Sequence, residues 1–595
     1  MASNLEQLDP TQPPIIDVPV RLNFDDLAND PKHRKERDLY LQALSALKQE
    51  GPTQLKGFYQ IAGIHGLPYT DWDDTKKPGE GSPPQKKEQW EGYCTHGNVL
   101  FPTWHRPYVA LYEKAILDHA EEIAKKFTDV DLQKEYLTAA AILRQPFYDW
   151  AAPGAKMPEL LYDPKYARIE VRSPPLGQPE LIDNPLFGFT YPKGVRDDTW
   201  ILNGDPRFRV WNNTVRYPIK DSVPYNPDEP GQPKPFHEVI ESHNKELGDL
   251  VYYLLHKIKD WRTMSNHTTA PDASLEGIHD LVHDLLGGNG HMSEPAVAGF
   301  DPIFWLHHAN VDRLLAVWQA LNANEWVVPG DSDEGTRTIP LGTTVTTDTN
   351  LTPFRVATGS DFWTSTQTRD FVKEFNYTYP ESKSGTATAD DIFVAVNELY
   401  NQNFKTELPQ PAPEGFSAPL GLHLDKHYLD WAVKITLKLH EFPKSGYVHV
   451  FLAKTVPESG GWLLAPERVG DIGIFRNTSN LCENCNQHEE AGATISGIVL
   501  LTRALLERNL DINTPETVVE YLKENLAWRL ALTDGTELPL ARVPSLQVKI
   551  TSEKVTRPAI PPRGPDVPDG DNRHRIPTRF PTRGVPTEHE GIGNH

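Results

Sequence analysis

The chain has 595 residues, with 59 Lys and Arg against 82 Asp and Glu, a formal net charge of −23. That acid excess argues against a nucleic-acid or anionic-membrane binder, and three cysteines argue against a disulfide framework. No apolar run approaches a membrane span, and the N-terminal MASNLEQLDPTQPP has neither a basic n-region nor an apolar h-region, so a soluble cytoplasmic protein is expected. The sequons at Asn212, Asn266, Asn350, Asn376 and Asn477 are then chance matches.

The first readable pattern is an amphipathic run with Leu55, Phe58, Tyr59 and Ala62 on its buried face, ended by His65. YCTHGNVLFPTWHRPYVALYEKAI follows, with His96 in a Gly/Asn/Pro loop and His105 heading a helix. The stripe Tyr108, Val109, Tyr112 and Ile116 turns the His105 imidazole toward the core. In SLEGIHDLVHDLLGG at 274–288, Leu275, Ile278, Val282 and Leu286 recur at helical spacing, and His279 and His283 fall on the same stripe. Ser274 is the expected N-cap and Gly287-Gly288 the stop. DPIFWLHHANVDR at 301–313 places His307 and His308 on an apolar, aromatic segment followed by Asn310, Asp312 and Arg313.

Four helices and one loop thus deliver inward histidines, as helix bundles do when they build metal sites. The pattern of di-iron and di-manganese bundles, Glu plus Glu-x-x-His on paired helices, is absent, since Glu-x-x-His occurs once only. Two sets of three imidazoles without carboxylate or thiolate ligands best suit a copper pair. A zinc hydrolase would need one set only.

Over roughly residues 20–380 these motifs resemble the fungal tyrosinases, members of the type-3 copper family that also holds catechol oxidases and haemocyanins. The resemblance rests on His65, Cys94-Thr95-His96, FPTWHRPY, LEGIHDLVHD and DPIFWLHHANVDR, with Tyr377-Thr378-Tyr379 matching a Tyr-x-Tyr that closes the core. It implies a first copper on His65, His96 and His105 and a second on His279, His283 and His308, with His307 a neighbour. It implies a thioether between Cys94 and His96, and Glu276 as the acidic residue holding a water beside the second copper. Asp280 stands where many monophenol-active relatives have Asn, which points to weaker hydroxylation of monophenols than oxidation of diphenols. Asp312, four residues after His308, is the expected acceptor for a ligand ring. Phe101, Phe304 and Trp305 would supply a dry aromatic surround. The implied activity is copper-dependent oxidation of small phenols by O2. Catechol-only or o-aminophenol oxidation is the alternative within oxidases, and a haemocyanin-like O2 carrier or a zinc hydrolase lies outside them. A copper chaperone and a homo-oligomer are admitted as partners.

The fold expected is mainly α, a four-helix-bundle dicopper core over 1–380, followed by further units. Residues 381–421 read as a linker with a short helix at Ile392, Val396, Leu399 and Tyr400 and a Pro-rich segment, ELPQPAPEGFSAPLG. Residues 422–556 read as an antiparallel β domain covering the site. There Trp431, Val433, Ile435, Leu437 and Leu439 alternate with polar residues, and HEFPKSG turns the chain into YVHVFLA as a hairpin. Residues 557–595, rich in Pro and Arg, read as a disordered tail. Phe475 is the expected apolar plug of the cover. Cys482 and Cys485 form a C-x-x-C that suits Cu(I) loading, since soft thiolates select that ion.

Overall fold

The computed structural model describes residues 18–75, 92–195, 208, 211–218, 236–332, 335–356, 361–382, 387–400, 427–477, 492–556, 582–583, 587–589 and 592. Two helices carry the clearest local signals. Leu275–Gly287 begins at Ser274, whose hydroxyl accepts from Gly277 N at 3.0 Å, and ends at Gly288, with φ 56°. Pro302–Leu321 begins at Asp301, whose carboxylate accepts from Ile303 N at 3.1 Å, with proline at the first helical position. The third long helix, Phe101–Lys125, starts one turn before His105 rather than at it. Arg34–Gln49 packs along this third helix.

The segment before His65 differs from its pattern. Its helix is only Phe58–Ala62, and Leu55 lies outside it, 38% exposed. Gly57 and Gly63 flank the helix and limit it to about one turn. His65 therefore comes from a turn, so three helices and two irregular segments deliver the six histidines.

The C-terminal strands form two antiparallel sheets, and this corrects the expected hairpin. His427–Lys438 pairs with Thr494–Leu500 on one side and Gln547–Thr556 on the other. Gly446–Leu452 lies in the second sheet, between Arg468–Ile474 and Leu526–Leu532. The turn Leu439–Glu441 thus carries the chain from one sheet to the other. Burial explains the choice. Trp431, Val433, Ile435 and Leu437 face Val448, Val450, Ile474 and Leu530 in one shared core, which pairing in a single hairpin would split. Within the C-terminal tail, Thr582–Arg583 and Thr587–His589 pair with Gln547–Thr556, so those residues are not disordered. An open sheet edge offers unpaired amides and carbonyls, and this segment covers it.

The two units share packing. Ala432, Tyr447, Phe475 and Ile498 join the helical core. Strand Arg468–Ile474 lies directly on helix Leu275–Gly287, and Gly473 permits the approach: a Cβ there would sit 2.5 Å from Leu281 Cα. Helix Ala389–Tyr400 also packs on the core through Ile392, Val396 and Tyr400, whose hydroxyl donates to Asp149 at 2.8 Å. The first part of the expected linker is therefore docked, while the Pro-rich 407–421 lies outside the described residues. Among the described residues no helix is long and apolar enough to cross a membrane.

Candidate metal centre

Backbone carbonyls and carboxylates fix the ring orientation of five histidines. His65 Nδ1 donates to Pro295 O at 2.8 Å, His105 Nδ1 to Phe101 O at 2.8 Å and His283 Nδ1 to Met292 O at 2.7 Å. His96 Nδ1 bonds Glu276 Oε1 at 3.0 Å, and His279 Nδ1 bonds Asp280 Oδ1 at 3.0 Å. A neutral imidazole that donates through Nδ1 keeps a lone pair on Nε2. Those lone pairs converge. His279 and His283 Nε2 lie 3.3 and 3.2 Å from His308 Nε2. His65 and His96 leave Nε2 buried without a hydrogen-bond partner. His65, Cys94, His96 and His105 bring their ligand atoms within 4.8 Å of one another, as do His279, His283, His307 and His308.

The sixth ring is held by stacking. His308 lies against Phe304 at 4.0 Å and 27°, and against His105 at 4.6 Å and 27°. Its neighbour His307 has the opposite tautomer: Nδ1 accepts from Trp150 Nε1 at 3.1 Å, so Nε2 carries the hydrogen. That separates the two histidines of the pair, and favours His308 as ligand.

Burial keeps most of these rings neutral. It pushes His65 and His307 down to about 3, and holds His105, His279, His283 and His308 well below the usual histidine value, helped by neighbouring imidazoles. His96 is the exception. Burial acts to lower it, but Cys94 and Glu276 together raise it well above the ordinary value. His65, His105, His279 and His283, kept neutral and locked through Nδ1, aim lone pairs into two clusters that fit nitrogen-preferring cations.

Other expected residues fall as follows. Cys94 Sγ lies 3.3 Å from His105 Nε2 and also interacts with His96. Gly97, at φ 58°, turns its amide onto Glu276 Oε1 at 2.8 Å, so the loop bearing His96 is tied to the helix bearing His279. Asp280 is wholly buried and bonded to two imidazoles, His279 and His267, and burial pushes it up to about 6 against the pull of His267. Phe475 stacks on His283 at 4.2 Å and 22°, and lies 5.8 Å from both His96 and His279. Cys482 and Cys485 lie outside the described residues.

Asp312 is a correction. Its carboxylate accepts from Arg106 Nε at 2.6 Å, Arg21 Nη1 at 3.0 Å and the hydroxyls of Tyr377 and Tyr379, and bonds no ligand ring. Two guanidinium groups and two phenols use its lone pairs; burial acts to raise the carboxyl, but Arg106, Arg21 and the two tyrosines outweigh it and hold it below the ordinary carboxylate value. It closes the core rather than orienting His308. Sequence reading also missed His267, an isolated histidine in a polar loop with no periodicity to mark it.

A largely buried charge cluster joins the C-terminal β unit to the helical core. Asp471, on strand Arg468–Ile474, bonds His243 Nε2 at 2.9 Å and His449 Nδ1 at 2.7 Å. Glu246 accepts from Arg468 Nη1 at 2.6 Å and from the Asp471 amide at 2.6 Å. His243 and Glu246 belong to the core, His449, Arg468 and Asp471 to the β unit.

A helical core that gathers two histidine clusters, His65, His96 and His105 with Cys94 and His279, His283, His307 and His308, against a two-sheet β unit is the framework of a metal-binding protein. Residues 55–321 match the common central domain of tyrosinase, and residues 430–550 match the tyrosinase C-terminal domain. The chain is 32% identical to a tyrosinase of Podospora anserina, over 83% of this chain and 94% of that one. It is 31% identical to polyphenol oxidase 2 of Agaricus bisporus, over 90% and 93% respectively. A recombinant mushroom tyrosinase structure superposes with TM-score 0.74 at 30% identity, covering 90% of this chain and 93% of that one. The chain belongs to the tyrosinase family, and is a copper-dependent oxidase of phenols.

Proposed function

We propose that this enzyme takes o-diphenols to o-quinones with dioxygen and hydroxylates monophenols more slowly, and that its intact chain is latent. The observation that carries the reading is the convergence of six imidazoles, all buried except the part-buried His96, five with Nδ1 already bonded and His308 held by stacking. His65, His96 and His105 would hold the first copper, and His279, His283 and His308 the second. When bound, the copper pair supplies dioxygen binding and accepts electrons from the phenol. The chain's own residues prepare that chemistry. Phe101 and Phe304 lie edge or face on the ligand rings and keep the site dry. Glu276 Oε1 is taken by His96 and Gly97, and Oε2 accepts, among the described residues, from the His267 amide alone, so its second lone pair is the one we assign to a water that receives the phenol proton. Cys94 and His96 are proposed to join as a thioether, a two-electron oxidation in which the thiol and one ring carbon each lose a hydrogen and dioxygen, the enzyme's own cosubstrate, takes the electrons. Cys482 and Cys485 retain a proposed copper-loading role.

The experiment is metal analysis and catechol oxidation on the copper-loaded chain, before and after cleavage between Tyr400 and His427. About two coppers per chain and oxidation released by cleavage are expected. One zinc per chain, or no catechol turnover by the cleaved core, overturns the reading.

The preference for diphenols is supported by Asp280, whose oxygens are both engaged by imidazoles. In Asp280→Asn the amide can accept from only one of the two N–H groups that Asp280 now receives. A monophenol-to-diphenol ratio raised in the cleaved Asp280→Asn enzyme is expected; an unchanged ratio removes Asp280 from substrate preference.

A further inference from the structure

We infer that His267 is a positioning residue for both copper sites, holding in place the two carboxylates that each orient one ligand ring. The inference rests on the ligand set proposed above. His267 is 2% exposed and lies between helices Trp261–Ser265 and Leu275–Gly287. Its Nδ1 donates to Asp280 Oδ2 at 2.7 Å, and its backbone amide donates to Glu276 Oε2 at 3.3 Å. The same ring nitrogen lies 3.7 Å from Glu276 Oε2. Each carboxylate spends its other oxygen on a ligand, Glu276 on His96 and Asp280 on His279.

A continuous chain of hydrogen bonds therefore runs His96, Glu276, His267, Asp280, His279, from the first site to the second. Its geometry needs a donor at the middle. Glu276 and Asp280 are four residues apart on one helix face, where like charges repel. A donor bonded to Asp280 and facing Glu276 keeps both carboxylates aimed at their rings. The His267 carbonyl accepts from Ser496 N of the C-terminal sheet at 2.9 Å, which holds the loop in place. An ordinary core histidine would bond whatever lay nearest. This one bonds the supports of both metal sites.

The test uses the full-length, copper-loaded chain and reads copper loss to a chelator. His267→Leu keeps apolar volume and removes the donor, while His267→Asn keeps an amide N–H near the Nδ1 position. Removing such a support costs roughly 10–100-fold in metal affinity. His267→Leu removes the Nδ1 donor to Asp280 and keeps the backbone amide on Glu276, so it is expected to release the copper of the His279 site about 10–100-fold faster and that of the His96 site at close to the wild-type rate, while His267→Asn releases both at close to the wild-type rate. Release of the His279-site copper from His267→Leu at the wild-type rate, or equally fast from both variants, overturns the inference. If His267→Leu does not fold, His267→Gln replaces it. Its amide reaches the Nε2 position instead, so it should lose copper faster than His267→Asn, and equal rates count against the role. Failure of the ligand set itself would show separately, as fewer than two coppers in the wild-type chain.

Discussion

His308→Ala is expected to bind about one copper per chain and to lose catechol oxidation to background, because the second site keeps only two imidazoles. His307→Ala is expected to keep both coppers. The two residues are adjacent and equally buried, so the contrast isolates the tautomer argument. His307 Nδ1 accepts from the Trp150 indole, which leaves Nε2 as a donor, whereas His308 Nε2 faces His279 and His283 at 3.3 and 3.2 Å. Copper analysis of the two purified variants decides it. Two coppers retained in His308→Ala, with loss in His307→Ala, would exchange their assignments. His308→Ala also removes the ring stacked between Phe304 and His105, so its folding is checked by the thermal midpoint of the metal-free chain.

The second large effect concerns the cover. Phe475→Ala removes the ring stacked on His283, and the intact chain should then oxidise small catechols without cleavage. Loosening the charge cluster around Asp471 should act in the same direction. Asp471 also holds its own domain through His449 and Arg468, so the core-side partner makes the cleaner variant. Glu246→Leu strips Arg468 of one carboxylate and leaves the Asp471 amide without its acceptor. The Glu246–Arg468 pair is part-buried, so removing one partner costs less than the ~3–5 kcal/mol of a fully buried pair, and each 1.4 kcal/mol is a factor of ten. An increase of roughly a hundredfold in catechol oxidation by the intact chain is expected, with the cleaved enzyme unchanged. Equal rates in intact wild-type and cleaved chains would remove the cover from the account.

Mild acid should not imitate these substitutions. Burial raises the Asp471 carboxyl, but Arg468, His449 and His243 outweigh it and hold the group well below the ordinary carboxylate range. A carboxylate depressed in the folded state contributes stability above its unfolded value, near ~4, and loses it only as pH falls through the lower folded value. Intact chain held at pH 5 should therefore stay latent, as a catechol assay after return to neutral pH would show.

The amino-acid sequence determined the parts of this protein that depend on neighbours along the chain. The His279/His283 pair, its Ser274 cap and Gly288 stop, and the burial of His105 with Tyr108 and Tyr112 all follow from a period of 3.6 within one helix. The alternation Trp431, Val433, Ile435, Leu437 likewise sufficed to place a strand. Motif resemblance, not periodicity, supplied the division of six histidines into two copper sites. The tertiary structure decided what depends on partners far away in sequence. Asp312 lies one turn from His308, yet two arginines and two tyrosines from other segments claim its oxygens. The strand Gly446–Leu452 follows His427–Lys438 closely but joins the opposite sheet, because their apolar faces must meet across one core. His267 lies in a loop without pattern, and its importance arises only when folding sets it between Glu276 and Asp280. Periodicity records which face of an element is buried; it does not record which distant donor or acceptor waits there.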